Sequence, residues 1–229
     1  MDLKSNINKV KDRIRVAAVR AGRDPQEVRL VAVSKRVQAE RVLEAIKCGI
    51  DAFGENYAQE FRDKRKVVEE SADSGVHWHF IGSLQKNKVK YLVGSVELIH
   101  SLDSVSVAEA IDKKAKSLGT KAAVLIEVDT GGEETKGGVG SKVLESFLEE
   151  VSKLGSLEVK GLMTMPPYFD DPENARPYFR ELRELRDGFK DEYPGLVELS
   201  MGMSSDFEVA IEEGATLVRV GTSIFGPRD

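Results

Sequence analysis

Leu30-Val31-Ala32-Val33-Ser34-Lys35 is an apolar run that stops abruptly at a hydroxyl and a cation. Apolar residues without alternation suit a strand buried on both faces, as in a parallel sheet. Seven further runs follow, of varying length: Ala52-Phe53, Trp78 to Ile81, Glu97 to His100, Ala122 to Val128, Glu158 to Leu162, Val197 to Leu199 and Leu217 to Val220. Each but the last precedes a stretch with helical spacing, so strand and helix alternate along the chain. Repeated strand-helix units imply parallel strands joined by right-handed crossovers. About eight such units in 229 residues point to an α/β fold of the closed (β/α)8 barrel type, ahead of an open doubly wound sheet.

Ahead of the first strand, residues 3–21 place Ile7, Val10, Ile14, Ala17, Ala18 and Ala21 at helical spacing, with Gly22 as a stop. This predicts an extra N-terminal helix. No Pro- or Ser-rich linker divides the chain, so residues 1–229 read as a single domain. Gly131 to Gly140 is too short and polar for a domain boundary and reads as a mobile loop above a strand end, with Glu133 and Glu134 facing solvent. Met165-Pro166-Pro167-Tyr168 reads as a rigid loop before a helix that starts near Asp171 or Pro172.

The composition, 41% hydrophobic and 32% charged, allows a sizeable core. A net charge of -5 argues against a general nucleic-acid or anionic-membrane binder, which would carry a basic stripe. Lys64-Arg65-Lys66 and Gln85 to Lys90 therefore read as solvated helix faces. Cys48 stands alone, which excludes an intrachain disulfide and a thiolate-rich zinc site and suits a reducing cytoplasm. No apolar run approaches the length of a membrane span, so neither export nor anchoring is expected.

Barrels of this type assemble their sites at the C-terminal ends of the strands. Polar and small residues collect there: Ser34 and Lys35, Gly54 to Tyr57, Gly82, Ser83 and Gln85, Ser101 and Asp103, Asp129, Met163 and Thr164, Ser200, Gly202 and Ser204, and Gly221 and Thr222. Lys35 has two readings. An amine held beside apolar walls and other cations loses proton affinity and attacks a carbonyl carbon, whereas a lysine at a strand end also snorkels outward. Ser200-Met201-Gly202-Met203-Ser204-Ser205-Asp206 and Gly221-Thr222-Ser223 each suit either an anion or ordinary helix capping. Their succession after strands seven and eight is the order in which such barrels bind phosphate. Strand eight lies beside strand one in a closed barrel, so Lys35 and this cup share a mouth. That combination fits pyridoxal 5′-phosphate, which needs an amine for its aldehyde and a cup for its phosphate. Arg219, two residues before Gly221, shares its strand face. Turned inward it needs a partner such as a ring nitrogen or carboxylate, and turned outward it pairs with a helix carboxylate.

Several blocks carry a resemblance, in order and over nearly the whole chain. They are Val33-Ser34-Lys35, Phe53-Gly54-Glu55-Asn56-Tyr57, His77-Trp78-His79-Phe80-Ile81-Gly82-Ser83-Leu84-Gln85-Lys86-Asn87-Lys88, Gly161-Leu162-Met163-Thr164-Met165, Leu199-Ser200-Met201-Gly202-Met203-Ser204 and Val218-Arg219-Val220-Gly221-Thr222-Ser223-Ile224-Phe225-Gly226. Together they resemble the pyridoxal-phosphate homeostasis protein family. The resemblance implies a fold-type III barrel like the N-terminal domain of alanine racemase, with Lys35 as the Schiff-base lysine. It implies Arg219 facing the pyridine nitrogen, Ser200, Ser204, Gly221 and Thr222 around the phosphate, and Asn56 and His79 lining the site.

An arginine opposite the pyridine disfavours protonation of that nitrogen and makes the ring a poorer electron sink. A racemase also needs a base on each face of the substrate, and alanine racemase takes its second from a C-terminal β-domain, whereas this chain stops at Asp229. The expectation is a cytoplasmic, monomeric protein that tethers pyridoxal phosphate and acts in its homeostasis with little or no turnover. Its recipients would be apo forms of pyridoxal-phosphate enzymes. Three other readings stay open: a racemase-like enzyme working from the barrel alone, a cofactor-free Schiff-base aldolase, and an interaction module that reports cofactor supply. His77 and His79 would point one way and Trp78 the other. A metal pair there lacks a supporting cluster, so no metal is expected. Gly137-Gly138-Val139-Gly140 lacks the spacing of a dinucleotide fingerprint, and Phe53, Phe80, Phe147, Phe179 and Phe225 are assigned to the core.

Overall fold

Every predicted strand forms, within two residues of its expected ends, in the computed structural model, which describes residues 2–71, 75–132 and 137–227. The strands are β1 (Arg29–Val33), β2 (Ala52–Glu55), β3 (His77–Phe80), β4 (Leu98–Leu102), β5 (Ala122–Asp129), β6 (Val139–Gly140), β7 (Leu157–Met163), β8 (Glu198–Ser200) and β9 (Leu217–Val220). All pairings are parallel, in the order β4-β3-β2-β1-β9-β8-β7-β5, and β4 pairs with β5 to close an eight-stranded barrel. β6 was not anticipated: the end of the glycine-rich stretch adds to β5, with Val128 opposite Val139. Gly138 permits this approach, because a Cβ there would lie 2.8 Å from the Asp129 nitrogen. Glu133 and Glu134 lie outside the described residues.

The outer layer consists of α1 (Leu3–Arg20), α2 (Ala39–Lys47), α3 (Ala58–Ser71), α4 (Val89–Leu92), α5 (Val105–Ser117), α6 (Leu144–Val151), α7 (Arg176–Phe189), α8 (Phe207–Glu212) and α9 (Thr222–Phe225). α1 starts where the Asp2 side chain accepts from the Lys4 nitrogen at 3.2 Å, and it buries Leu3, Ile7, Val10, Ile14, Ala17 and Ala18. Its position follows from a shortage. The last strand is followed only by the four-residue α9, so α1 covers that flank against α8 and α9. Asn6 Nδ2 donates to the Ile224 carbonyl at 3.0 Å, and Arg13 pairs with Glu208 at 2.6 Å.

Trp78 packs into the shell between sheet and helices, its ring centroid 5.6 Å from those of Phe53 and Phe61. Phe53, Phe80, Phe147 and Phe179 are buried in this shell, while Phe225 is only partly buried and Phe61 and Phe207 join it unpredicted. A smaller cluster of Val31, Leu98, Leu125, Met163 and Leu217 fills the barrel interior. Lys64 departs from the solvated face expected of its basic run: it turns inward and is only 5% exposed, because the buried Glu55 carboxylate offers it a partner at 2.5 Å. After β3 the chain makes a single 3-10 turn, Lys86–Lys88, and the short α4 in place of a long helix. No helix among the described residues is long and apolar enough to cross a membrane.

Candidate functional site

β1 hands its last residues to the C-terminal mouth of the barrel, and the backbone there is clamped on both sides of Lys35. Ser34 is buried: its Oγ donates to Glu55 Oε1 at 2.6 Å, and its carbonyl accepts from Lys64 Nζ at 2.6 Å. Beyond Lys35, the Arg36 nitrogen donates to Glu60 Oε1 at 2.5 Å, and Lys64 also reaches that oxygen at 2.9 Å. Arg36 adopts φ 58°, a left-handed conformation uncommon outside glycine that the Glu60 contact helps hold. Burial pushes the Glu55 carboxyl up, and the adjoining Lys64 ammonium opposes that rise.

Lys35 lines a cavity of about 530 Å³ together with Asn56, Ser204, Arg219, Gly221 and Thr222. Six of the eight residues expected at the site therefore meet in one place. Arg219 turns into the barrel, where Nη1 donates to Ser200 Oγ at 2.5 Å and Nη2 to the Thr164 carbonyl at 2.9 Å. No ion pair to Arg219 forms among the described residues, and burial brings its pKa down to about 10 against the opposing pull of Glu127 and Asp206. Ser204 Oγ accepts from the Gly221 nitrogen at 3.3 Å and the Ser223 nitrogen at 3.4 Å, which joins the loops after β8 and β9 into one cup. Gly202 makes the first loop possible. Its φ is 90°, and a Cβ would lie 2.6 Å from that of Ala210. Asn56 Oδ1 is buried and has no hydrogen-bond partner among the described residues, an acceptor left for something the cavity would hold.

The opposite wall is acidic: Asp103, Glu127 and Asp129. Burial, reinforced by Asp103, pushes the Glu127 carboxyl up. Sequence reading stopped at Asp129 and missed Glu127. The signal was available, since a residue two before Asp129 on a strand shares its face.

Ser200 and His79 lie elsewhere than expected. Ser200, assigned to the phosphate cup, is fully buried below the cavity, where its Oγ meets Arg219 and, at 2.8 Å, His100 Nδ1. His79, assigned to the lining, sits lower still, with Nδ1 2.8 Å from His100 Nε2. The physical reason is depth: both side chains face the barrel interior, buried beneath the cavity that Lys35 and Arg219 line. Burial holds both imidazoles neutral, His79 at about 4 and His100 well below its ordinary value. His77 instead stays at the surface and pairs with Glu97. No group of three or more metal-ligating side chains occurs among the described residues.

The geometry has clear relatives. The family described as "Alanine racemase, N-terminal domain" matches residues 5–229. A protein of Aquifex aeolicus named "Pyridoxal phosphate homeostasis protein" is 50% identical over 100% of this chain and 99% of its own, and one of that name from Escherichia coli K12 is 37% identical over 100% and 97%. PipY of Synechococcus elongatus, solved with PLP bound, superposes with a TM-score of 0.81 at 34% identity, covering 93% of this chain and 98% of its own. Alanine racemase of Clostridium difficile 630 shares the fold at a TM-score of 0.75 and 17% identity, over 99% of this chain and 60% of its own. By sequence and fold together, the chain belongs to the pyridoxal phosphate homeostasis proteins within the alanine racemase N-terminal domain family.

Proposed function

We propose that this chain binds pyridoxal 5′-phosphate at the C-terminal mouth of its barrel, holds it through Lys35, and serves its homeostasis with little or no turnover. One observation carries the reading: Lys35, Arg219 and the Ser204–Gly221–Thr222 cup line a single cavity of about 530 Å³. The residues fit the group. The cup joins backbone N–H groups and hydroxyls suited to a phosphate, Arg219 faces the cavity without a carboxylate partner among the described residues, and the orphaned Asn56 Oδ1 awaits a donor. When bound, the cofactor supplies an aldehyde carbon that condenses with a primary amine. Lys35 supplies that amine from a clamped backbone. Arg219, a donor only, would leave the ring nitrogen as an acceptor and so keep the ring a weak electron sink.

The naming of the relatives as homeostasis proteins supports a carrier over an enzyme. We further propose that residues 1–229 work as one monomeric unit in the cytoplasm, to which the lone Cys48 is suited, and that apo enzymes receive the cofactor. Absorbance of the purified protein with added pyridoxal phosphate, before and after borohydride reduction, tests the site. A visible band, lost on reduction with the label on Lys35, is expected. A protein that stays colourless, or a label elsewhere, would overturn the reading.

A further inference from the structure

The barrel has a second cavity at its opposite end, of about 410 Å³, whose lining includes Lys11, Arg15, Arg29, His77, His79 and Glu97. Most of its charge is already spent. Arg29 pairs with Glu198 at 2.6 Å and Glu97 at 3.8 Å, and His77 pairs with Glu97. Lys11 donates to the Gly49 carbonyl at 2.7 Å and has no carboxylate within 4 Å among the described residues. Arg15 reaches Asp12 at 3.6 Å, an exposed pair worth little. An exposed Asp51 at the rim is the other carboxylate in the lining. The walls are apolar, with Ile14, Val28 and Leu217.

His79 forms the buried polar part of this cavity, at 1% exposure, and the proton it presents follows from the bonds behind it. Arg219 can only donate, so Ser200 Oγ accepts from it at 2.5 Å. The buried hydroxyl proton of Ser200 then has His100 Nδ1, at 2.8 Å, as its acceptor. Were Nδ1 itself protonated, that hydroxyl would be left without an acceptor among the described residues, at the cost of an unpaired buried donor. His100 therefore carries its proton on Nε2 and donates it to His79 Nδ1 at 2.8 Å. His79 in turn carries its proton on Nε2, which has no partner among the described residues. A protonated ring nitrogen has no lone pair for a metal; it needs an acceptor.

We propose that this lower cavity is a second binding site, for a small organic carboxylate that accepts from His79 Nε2–H, sets its charge toward Lys11 and Arg15, and rests its apolar body on Ile14, Val28 and Leu217. Binding here does not require the upper cavity to be filled. It is also joined to it, because the chain of bonds from His79 ends on the Arg219 guanidinium at the upper cavity's floor.

Nitrogen NMR of the full chain with ¹⁵N-labelled histidine tests the site, with butyrate, inorganic phosphate and Zn²⁺ titrated separately at constant ionic strength. The expected result is Nε2-protonated His79 and His100, a saturable shift of His79 with butyrate, and affinity weakened about tenfold in the Lys11→Gln/Arg15→Gln double variant, the scale of one charge-assisted bond. Both substitutions are at exposed positions, and an unchanged histidine spectrum without ligand verifies their fold. Nδ1-protonated His79, no saturable butyrate response, or equal affinity in the double variant would sink the proposal. A response to Zn²⁺ or phosphate as strong as that to butyrate would overturn the carboxylate assignment.

Discussion

In the proposed function, Lys35 and Arg219 divide the work at the upper cavity, one to react and the other to restrain. Lys35→Ala is expected to lose the visible band and the borohydride label while retaining weaker binding through the cup, measured by fluorescence titration; an unchanged spectrum would show that another amine holds the cofactor. Arg219→Glu places a carboxylate where the guanidinium stood, so the ring nitrogen should gain proton affinity and the pH titration of the band should move upward. A titration superposable on that of the unaltered protein would place Arg219 away from the ring. Glu127 offers a test that does not depend on the cofactor. Its carboxyl is held above the ordinary value, so the folded state loses stability as pH rises through that raised pKa. Glu127→Gln removes the ionised form and should raise the melting temperature at pH 7 and above, by about 2–4 °C for each kcal/mol relieved; a fall would mean the carboxylate is needed structurally. Residue identities at the strand ends were legible in the sequence because strand ends are. Depth was not: a period of two says that Ser200, His79 and Arg219 face inward, but only the register of neighbouring strands says which layer each occupies.

At the scale of elements, glycine decides how closely the loops approach. A Cβ on Gly82 would lie 2.2 Å from the Asn56 carbonyl oxygen, while Ser101 Oγ donates to the Gly82 carbonyl at 2.5 Å and holds it in place. Gly82→Ala must therefore push the β2 loop away from the cavity. The expected cost is about 1–3 kcal/mol of stability, with several-fold weaker pyridoxal phosphate binding by equilibrium dialysis; full retention of both would show that the Asn56 segment moves freely. The strands were legible as elements because buried parallel strands write continuous apolar runs. α1 was legible as a helix but not in its place, which depends on α9 being too short to cover β9 and β1. β6 was hidden because two residues carry no period, and Lys64 because a basic run looks solvated until a buried carboxylate is found opposite it.

Two neutral histidines, His79 and His100, are buried in the barrel interior, and they shape its response to acid. His79, with an ordinary value near 6.5, is held at about 4 by burial, and His100 is displaced in the same direction. Below pH 6.5 the unfolded chain takes up protons that the folded barrel refuses, so stability is lost as pH falls from about 6.5 toward about 4. For His79 alone the full loss is roughly 3 kcal/mol, a large share of the 5–15 kcal/mol typical of a domain. Glu55, Glu127 and Asp206, whose carboxyls burial pushes up, act in the opposite sense, gaining stability as pH falls through their raised values. The histidine contribution is therefore isolated by comparison. Urea midpoints measured from pH 7 to pH 4.5 should fall for the unaltered protein and fall less steeply for His79→Gln, whose amide still bonds along the chain but does not titrate. Parallel slopes in the two proteins would mean that the interior accommodates a charged imidazole, and that the chain from His79 to Arg219 is less dry than its burial implies.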